Sequence, residues 1–157
     1  PVLKTTSDPI ENFDEKTNSL ITDLVDTTTL PGRAGVAAPQ IGVNLRAFSF
    51  NVDGIIGHII NPKIVELSGE KVLLEEGCLS VPELWHKTPR YEFAKVSGFD
   101  VDGNEIILEG NGLMAQMLQH ECDHLDGLVY LDRLEGEEHK AAMKNLRASD
   151  WFIAQIQ

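Results

Sequence analysis

Residues 111–127 read NGLMAQMLQHECDHLDG, a pattern typical of one helix that ends in a turn. Its apolar residues, which recur at helical spacing, are Leu113, Met114, Met117, Leu118 and Leu125. Asn111 is a favourable N-cap, and Gly127 suits the left-handed conformation that ends many helices. The stretch therefore predicts a helix of about four turns with one face in the core.

The same helix carries an H-E-x-x-H motif, formed by His120, Glu121 and His124. Positions i and i+4 lie one turn apart on one face of a helix, so the two imidazoles can bind one metal ion. The glutamate lies close enough to handle the proton of a water that the metal activates. Two solvated surface histidines are the alternative, but three residue types at fixed spacing favour a metal site.

Length, composition and charge limit the possible classes of protein. The 157 residues predict one domain over 1–157, and 42% hydrophobic with 24% charged residues is ordinary for a globular chain. No apolar run approaches the length of a membrane span, and the first residues lack a signal-peptide pattern. The net charge of −12 argues against direct binding to DNA, which requires clustered lysine and arginine.

The order of predicted elements indicates an α+β fold. A helix is expected over 12–28, a loop or irregular strand over 33–44, and a last helix over 135–148. The strand candidates are 45–50, 55–60, 63–68, 71–75, 91–100 and 105–109. We therefore expect short antiparallel or mixed sheets packed around a central metal-binding helix, with an N-terminal and a C-terminal helix.

Dipeptides that favour turns separate the strand candidates. Asn61-Pro62 and Ser68-Gly69 are expected to reverse the chain within the region from 55 to 75. Asp102-Gly103, between two strand candidates, predicts a hairpin.

A catalytic metal site usually has three protein ligands and one open position, so a third ligand must be sought. The candidates are Cys78, a carboxylate, His58, His86 and His139, but the three histidines are expected to be a strand, a loop and a helix-surface residue and not ligands. Cys78 follows a strand candidate within the segment EGCLS at 76–80, and a thiolate there would complete a Cys-His-His site. A free cysteine is, however, often a small buried hydrophobe. Cys122 points away from His120 on a helix and is expected to be a half-buried helix residue.

A further segment, GVAAPQ at 35–40, combines small residues with a glutamine. Small side chains let a ligand or another backbone come close, although a tightly packed loop has the same composition. With EGCLS at 76–80 and HECDH at 120–124, in this order and at similar separations, the chain resembles peptide deformylase. The resemblance extends over most of the chain. Members of this family remove the formyl group from the N-terminal formylmethionine of new polypeptides.

The resemblance implies a role for each matching residue. Cys78, His120 and His124 would be the metal ligands, and Glu121 the catalytic acid and base. The metal would be one divalent ion, Fe(II) in the cell, with Zn, Ni or Co able to occupy the site.

The other matching residues would contact the substrate. The side chain of Gln40 and the backbone N–H of Leu79 would stabilise the oxyanion, and Gly35 would contact the substrate through its backbone. A methionine side chain needs an apolar cavity. Its candidate lining residues are Val36, Leu79, Met114 and Met117, and core packing is the alternative for the two methionines.

The expected partners are N-formylmethionyl nascent peptides, without a membrane. In some family members the C-terminal helix contacts the ribosome near the exit tunnel, and Lys140, Lys144 and Arg147 are candidates for that contact. The expected location is the cytoplasm of a bacterium, with an organelle or a virus as the alternatives.

The sequence departs from the family pattern at two positions. Arg33 stands where the first motif usually has a glycine, and Trp85 lies in a segment that often contains an arginine. Arg33 bears on the conformation of the loop that contains it. Trp85 bears on how the second and third residues of the substrate are bound. We also hypothesise that Glu76 pairs with Arg90 and braces the Cys78 loop, with two unrelated surface charges as the alternative.

Two other functions compete with deformylation. An H-E-x-x-H metallopeptidase would share the helix but take its third ligand downstream, where Glu135, Glu137 and Glu138 are conceivable. A non-enzymatic protein stabilised by its metal is the third possibility. The glutamate and the expected oxyanion donors argue against it.

Overall fold

The computed structural model describes residues 6–29, 34–78 and 81–128, and for 73–78 and 81–88 it describes the backbone alone. The helices are α1 (Glu15–Thr28) and α2 (Gly112–Leu125), with a 3₁₀ turn at Ala38–Ile41. The strands are β1 (Gly35–Ala37), β2 (Ala47–Val52), β3 (Ile55–Cys78), β4 (Val81–Phe99) and β5 (Glu105–Asn111). They form one antiparallel sheet in the order β1-β2-β3-β4-β5. The α+β class is confirmed, while the predicted last helix over 135–148 lies outside the described residues.

Helix α1 begins where an aspartate caps it. The carboxylate of Asp14 accepts hydrogen bonds from the backbone N–H groups of Lys16 and Thr17, at 3.1 and 3.2 Å. These bonds satisfy donors that the first helical turn leaves without partners, so the helix starts three residues later than predicted. Its apolar stripe packs on the sheet through Leu20, Ile21 and Leu24.

Strand β3 replaces three of the predicted short strands. The dipeptides Asn61-Pro62 and Ser68-Gly69 do not reverse the chain, so the predicted turns are wrong. The pairing with β4 instead shifts register between Ile60 and Lys63 and again between Ser68 and Lys71. Asn61 and Gly69 have φ angles of 51° and 79°. Residues that tolerate a positive φ suit bulges as well as turns, and here they form bulges.

Strand β4 begins ten residues before the predicted strand. Residues 81–90 contain two prolines and no period-two pattern, so no local signal predicts a strand there. Pairing with β3, which starts at Cys78 and Val81, holds this segment extended. The predicted hairpin at Asp102-Gly103 is confirmed, since Phe99 pairs with Glu105 and Gly103 has a φ of 82°.

Helix α2 lies in the centre of the described part of the chain. Every residue from Met117 to Leu125 is buried, so this portion is covered on all sides and not on one face as predicted. Its apolar residues join a core that includes Phe48, Ile59 and Val96 of the sheet. The helix ends as expected, with Gly127 at a φ of 78°. Among the described helices, neither is long and apolar enough to cross a membrane.

Candidate metal centre

The two histidines of α2 point their ring nitrogens at one another. The Nε2 atoms of His120 and His124 are 3.1 Å apart, and their ring planes cross at 75°. Two ligands bound 2.0–2.1 Å from a tetrahedral metal would be separated by about 3.4 Å, close to the separation seen here. Both side chains are buried, with 8% and 0% of their surface exposed. The donor set and its spacing therefore fit a divalent cation.

Glu121 completes the only group of metal-ligand side chains found in the described ranges. One ligand atom from each of His120, Glu121 and His124 lies within 4.8 Å of the others. Glu121 is 3% exposed. A carboxylate so close to the imidazole pair is placed to exchange a proton with a molecule bound beside it.

Gly35 packs directly on that carboxylate. A Cβ atom at residue 35 would lie 2.8 Å from Oε2 of Glu121 and 3.0 Å from its Cδ. The small residue in the first motif does allow a close approach, but the neighbour in the structure is the glutamate of α2. Strand β1 thereby limits where the Glu121 carboxylate can lie.

Gln40 lies in the 3₁₀ turn that follows β1. Its Oε1 accepts a hydrogen bond of 2.8 Å from the backbone N–H of Ala37, which fixes the orientation of the side-chain amide. Since the oxygen serves the backbone, the amide nitrogen is the end that suits a donor to a substrate.

Of the remaining predicted site residues, the structure describes some completely, one by its backbone alone and one not at all. Cys78 is the last residue of β3, where its backbone pairs with Val81, and its sulfur is outside the described atoms. Leu79 also lies outside the described residues. Val36 is 1% exposed and packs in the cluster beneath α1, while Met117 is 3% exposed and packs in the cluster around α2. Met114 is partly buried against that second cluster.

Cys122 is a buried free thiol of α2. Burial raises the pKa of the Cys122 thiol well above its usual range; Asp126 and Asp123 add to the effect, and Arg46 opposes it. The group therefore stays protonated and packs as an apolar residue. Its predicted role as a helix residue is confirmed, with deeper burial than expected.

His58 is a partly buried residue of β3. It pairs across the sheet with Ser49, and burial lowers its pKa while Asp100 and Asp102 oppose the shift. It does not belong to the group formed by the α2 side chains. Of the other two histidines, His86 has only its backbone described, and His139 lies outside the described residues.

Two polar residues of α2 bind strand β4, and sequence reasoning missed both. Asp123 accepts a hydrogen bond of 2.6 Å from Nη1 of Arg90, and both side chains are almost fully buried. Gln119 exchanges two hydrogen bonds with the backbone of Tyr91. Their spacing could have identified them in the sequence. Two polar residues four positions apart on a buried helix require hydrogen-bond partners. The hypothesised partner of Arg90, Glu76, has its side chain outside the described atoms.

A third missed residue holds the end of α2. Arg46 donates to the carbonyl oxygen of Leu125 at 2.9 Å, and its Nη2 lies 3.0 Å from Oδ1 of Asp126. The backbone N–H of Ser7 donates to the same carbonyl at 2.8 Å. A cation at this point satisfies a terminal carbonyl and opposes the negative end of the helix dipole.

Comparison with known proteins identifies the family. The sequence profile described as polypeptide deformylase matches residues 1–140. The chain belongs to the peptide deformylase family. It is 47% identical over 156 residues to peptide deformylase 1 of Corynebacterium efficiens, which covers 97% of this chain and 92% of that protein. The peptide deformylase of Acidothermus cellulolyticus is 45% identical over 151 residues, which are 96% and 83% of the two chains.

A solved structure supports the same assignment. The peptide deformylase of Legionella pneumophila is 36% identical and has a TM-score of 0.86, with 99% of this chain and 92% of that chain covered. The family that three motifs predicted is confirmed, and with it the class of activity, a metal-dependent hydrolase that removes the formyl group from N-formylmethionyl peptides. These matches favour deformylation over the metallopeptidase alternative.

Proposed function

We propose that the buried side chains of α2 form the deformylase active site, together with Cys78, Gln40 and the N–H of Leu79. The observation that carries this proposal is the convergence of the His120 and His124 Nε2 atoms, 3.1 Å apart, beside the Glu121 carboxylate. Two imidazole nitrogens at this separation, beside a carboxylate, form a donor set typical of a divalent-metal site.

The cation would be held by His120, His124 and the thiolate of Cys78. Two imidazoles and one thiolate form a donor set for soft to borderline divalent metals, so Fe(II) is proposed for the cell, with Zn, Ni or Co as substitutes. When bound, such a metal makes water a stronger nucleophile near neutral pH and polarises the formyl oxygen. The thiolate ligand, at the end of β3, distinguishes this site from that of an H-E-x-x-H peptidase.

Glu121 handles the proton. Its carboxylate takes a proton from the attacking water and passes it to the departing amine, as a general base and then a general acid. Both transfers need one fixed position for the carboxylate. Gly35 contributes to that position because its bare α-carbon packs on the glutamate.

Gln40 and Leu79 stabilise the negative charge that develops on the formyl oxygen. The Gln40 amide nitrogen is the donating end, because its oxygen accepts from Ala37. The backbone N–H of Leu79 is the second donor. Loss of one such donor typically costs about 3 kcal/mol of transition-state stabilisation.

The substrate is a nascent peptide with N-terminal formylmethionine. Its methionine side chain is proposed to contact Val36, Leu79, Met114 and Met117, with Gly35 binding the peptide backbone. One catalytic domain over 1–157, a cytoplasmic location and a contact between the ribosome and Lys140, Lys144 and Arg147 belong to the same proposal.

Release of formate from formyl-Met-Ala-Ser, measured together with metal content, tests the function. We expect formate from the unaltered protein and loss of both metal and activity in Cys78→Ser. Retention of metal and activity in Cys78→Ser would instead support a ligand downstream of α2, as in the peptidase. Cys122→Ser is the matched control and should keep both, because a helix residue two positions after His120 points away from it.

A further inference from the structure

The side chain of Gln119 uses all of its hydrogen-bonding groups. Its Oε1 accepts from the backbone N–H of Tyr91 at 2.9 Å, and its Nε2 donates to the carbonyl of Tyr91 at 3.0 Å. The same Nε2 donates to the carbonyl of Ala115 at 2.9 Å. Turning the amide over would place its oxygen against two carbonyl oxygens, so its orientation is fixed. The residue is only 5% exposed.

The Gln119 amide takes the place of a strand residue. Strand β5 pairs with β4 as far as Asn111 and Phe93, and the chain then enters α2 at Gly112. Tyr91 lies two residues beyond the last pair. Two residues that exchange both N–H···O bonds are the unit of an antiparallel ladder, and the Gln119 amide reproduces that exchange. The helix is thus bonded to β4 where β5 ends.

A second anchor lies one helical turn further along. Asp123 accepts from the Arg90 guanidinium at 2.6 Å, with 6% and 3% of the two side chains exposed. Arg90 directly precedes Tyr91, so two adjacent residues of β4 bind two residues of α2 that are four apart. Charge-assisted hydrogen bonds of this length are among the stronger ones in proteins.

Each anchor residue directly precedes a histidine of the site. We propose that Gln119 and Asp123 are positioning residues that set the rotation of α2 about its axis and thereby aim His120 and His124. This inference rests on the proposed metal site. Strand β4 also pairs with β3 up to Cys78, so the anchors tie the helix to the hairpin that carries the third proposed ligand.

Geometry shows why rotation matters. Side chains reach about 5–6 Å from a helix axis, so a rotation of about 10° moves a side-chain tip by about 1 Å. Metal–ligand distances vary by only about 0.2 Å in well-formed sites. The two hydrogen bonds to Tyr91 and the short ion pair depend on distance and angle, so they resist such a rotation.

The test compares Co(II) affinity with the stability of the metal-free protein. Gln119→Glu keeps the acceptor and loses both donors, and Gln119→Met keeps the size and loses all three bonds. Ser49→Ala is the matched control: its hydroxyl is fully buried and bonds Thr28 and the carbonyl of Leu24, on the α1 side of the sheet. Affinity is measured by chelator competition below the unfolding temperature of each variant, together with the Co(II) absorption spectrum.

We expect both Gln119 variants to bind Co(II) at least about 10-fold more weakly, with an altered spectrum. Ser49→Ala should lose a similar amount of thermal stability and keep its affinity within about 2-fold. If Gln119→Glu does not fold, Gln119→Met and Asp123→Asn decide the question by the same measurement.

Gln119 variants that lose stability but bind Co(II) as the unaltered protein does, with the same spectrum, would overturn the positioning role. A different result, in which the unaltered protein itself does not bind Co(II), would refute the proposed function and the inference with it. The two failures are distinguishable because only the second concerns the unaltered chain.

Discussion

Helices α1 and α2 are both 14 residues long, but they bury different kinds of side chain. Helix α1 buries five residues, of which three are apolar and two are threonines. Helix α2 buries ten, and half of these are polar or charged. A buried polar group costs free energy unless it has a partner. The contrast indicates that α1 is held by apolar area, whereas α2, which contains the proposed metal ligands, needs specific partners for its buried polar side chains.

The largest expected difference is in kcat, between a glutamate substitution in α2 and one in α1. Glu121→Gln should lower kcat by about 10²- to 10⁴-fold, because the amide cannot accept the proton of the attacking water. Metal content should be retained, since the proposed ligands are unchanged. Glu15→Gln, at the exposed start of α1, should leave formate release unchanged. Equal activity in the two variants would remove Glu121 from the mechanism.

A second comparison concerns ion pairs. Arg90→Ala leaves Asp123 buried without the guanidinium and should cost about 3–5 kcal/mol of stability. Lys95 and Glu109 form an exposed pair at 3.9 Å, so Lys95→Ala should cost less than about 1 kcal/mol. Denaturant unfolding of the metal-free variants measures both values. Similar costs would show that the Arg90 pair contributes no more than a surface pair.

A third prediction uses the contact between β1 and Glu121. Gly35 has no positive φ, so Gly35→Ala introduces no backbone strain and acts through the clash of its Cβ with the carboxylate. A shift of about 1 Å in the carboxylate should lower kcat about 100-fold. Gly57→Ala is the control, because its Cβ would meet the ring of Phe50 and should reduce stability without this loss of kcat. Full activity in Gly35→Ala would mean that the carboxylate has another position from which it works.

Structural features that depend on residues close in the sequence could be predicted, and those that depend on distant residues could not. The helical period and the i, i+4 spacing are local, so α1, α2 and the group of His120, Glu121 and His124 were predicted from the sequence. The partners of Gln119 and Asp123 lie 28 and 33 residues away, and no local pattern specifies them. The fold places them together only because β5 leads directly into α2.

The sheet also contains features that a local sequence pattern does not predict. Asn61 and Gly69 adopt positive φ in bulges, and the residue types that allow this are those that also form turns. Pairing between β3 and β4 decides between the two outcomes, and a local pattern contains no information about that pairing. The extended segment that begins at Val81 was missed for the same reason.

The smallest expected effect is the loss of stability caused by a substitution at the N-cap of α1. Asp14→Ala removes the side-chain acceptor for the N–H groups of Lys16 and Thr17 and should cost about 1 kcal/mol of stability. Thermal unfolding measures the loss, and kcat for formate release should stay the same. A changed kcat would show that α1 and the site are coupled, against the division drawn between the two helices.

The most direct test of the central claim is metal analysis of anaerobically purified protein, with formate release from formyl-Met-Ala-Ser measured on the same sample. We expect one divalent metal ion per chain, formate release in proportion to metal content, and loss of both in His124→Ala. Formate release from metal-free protein, or full metal content in His124→Ala, would contradict a site built on the histidines of α2.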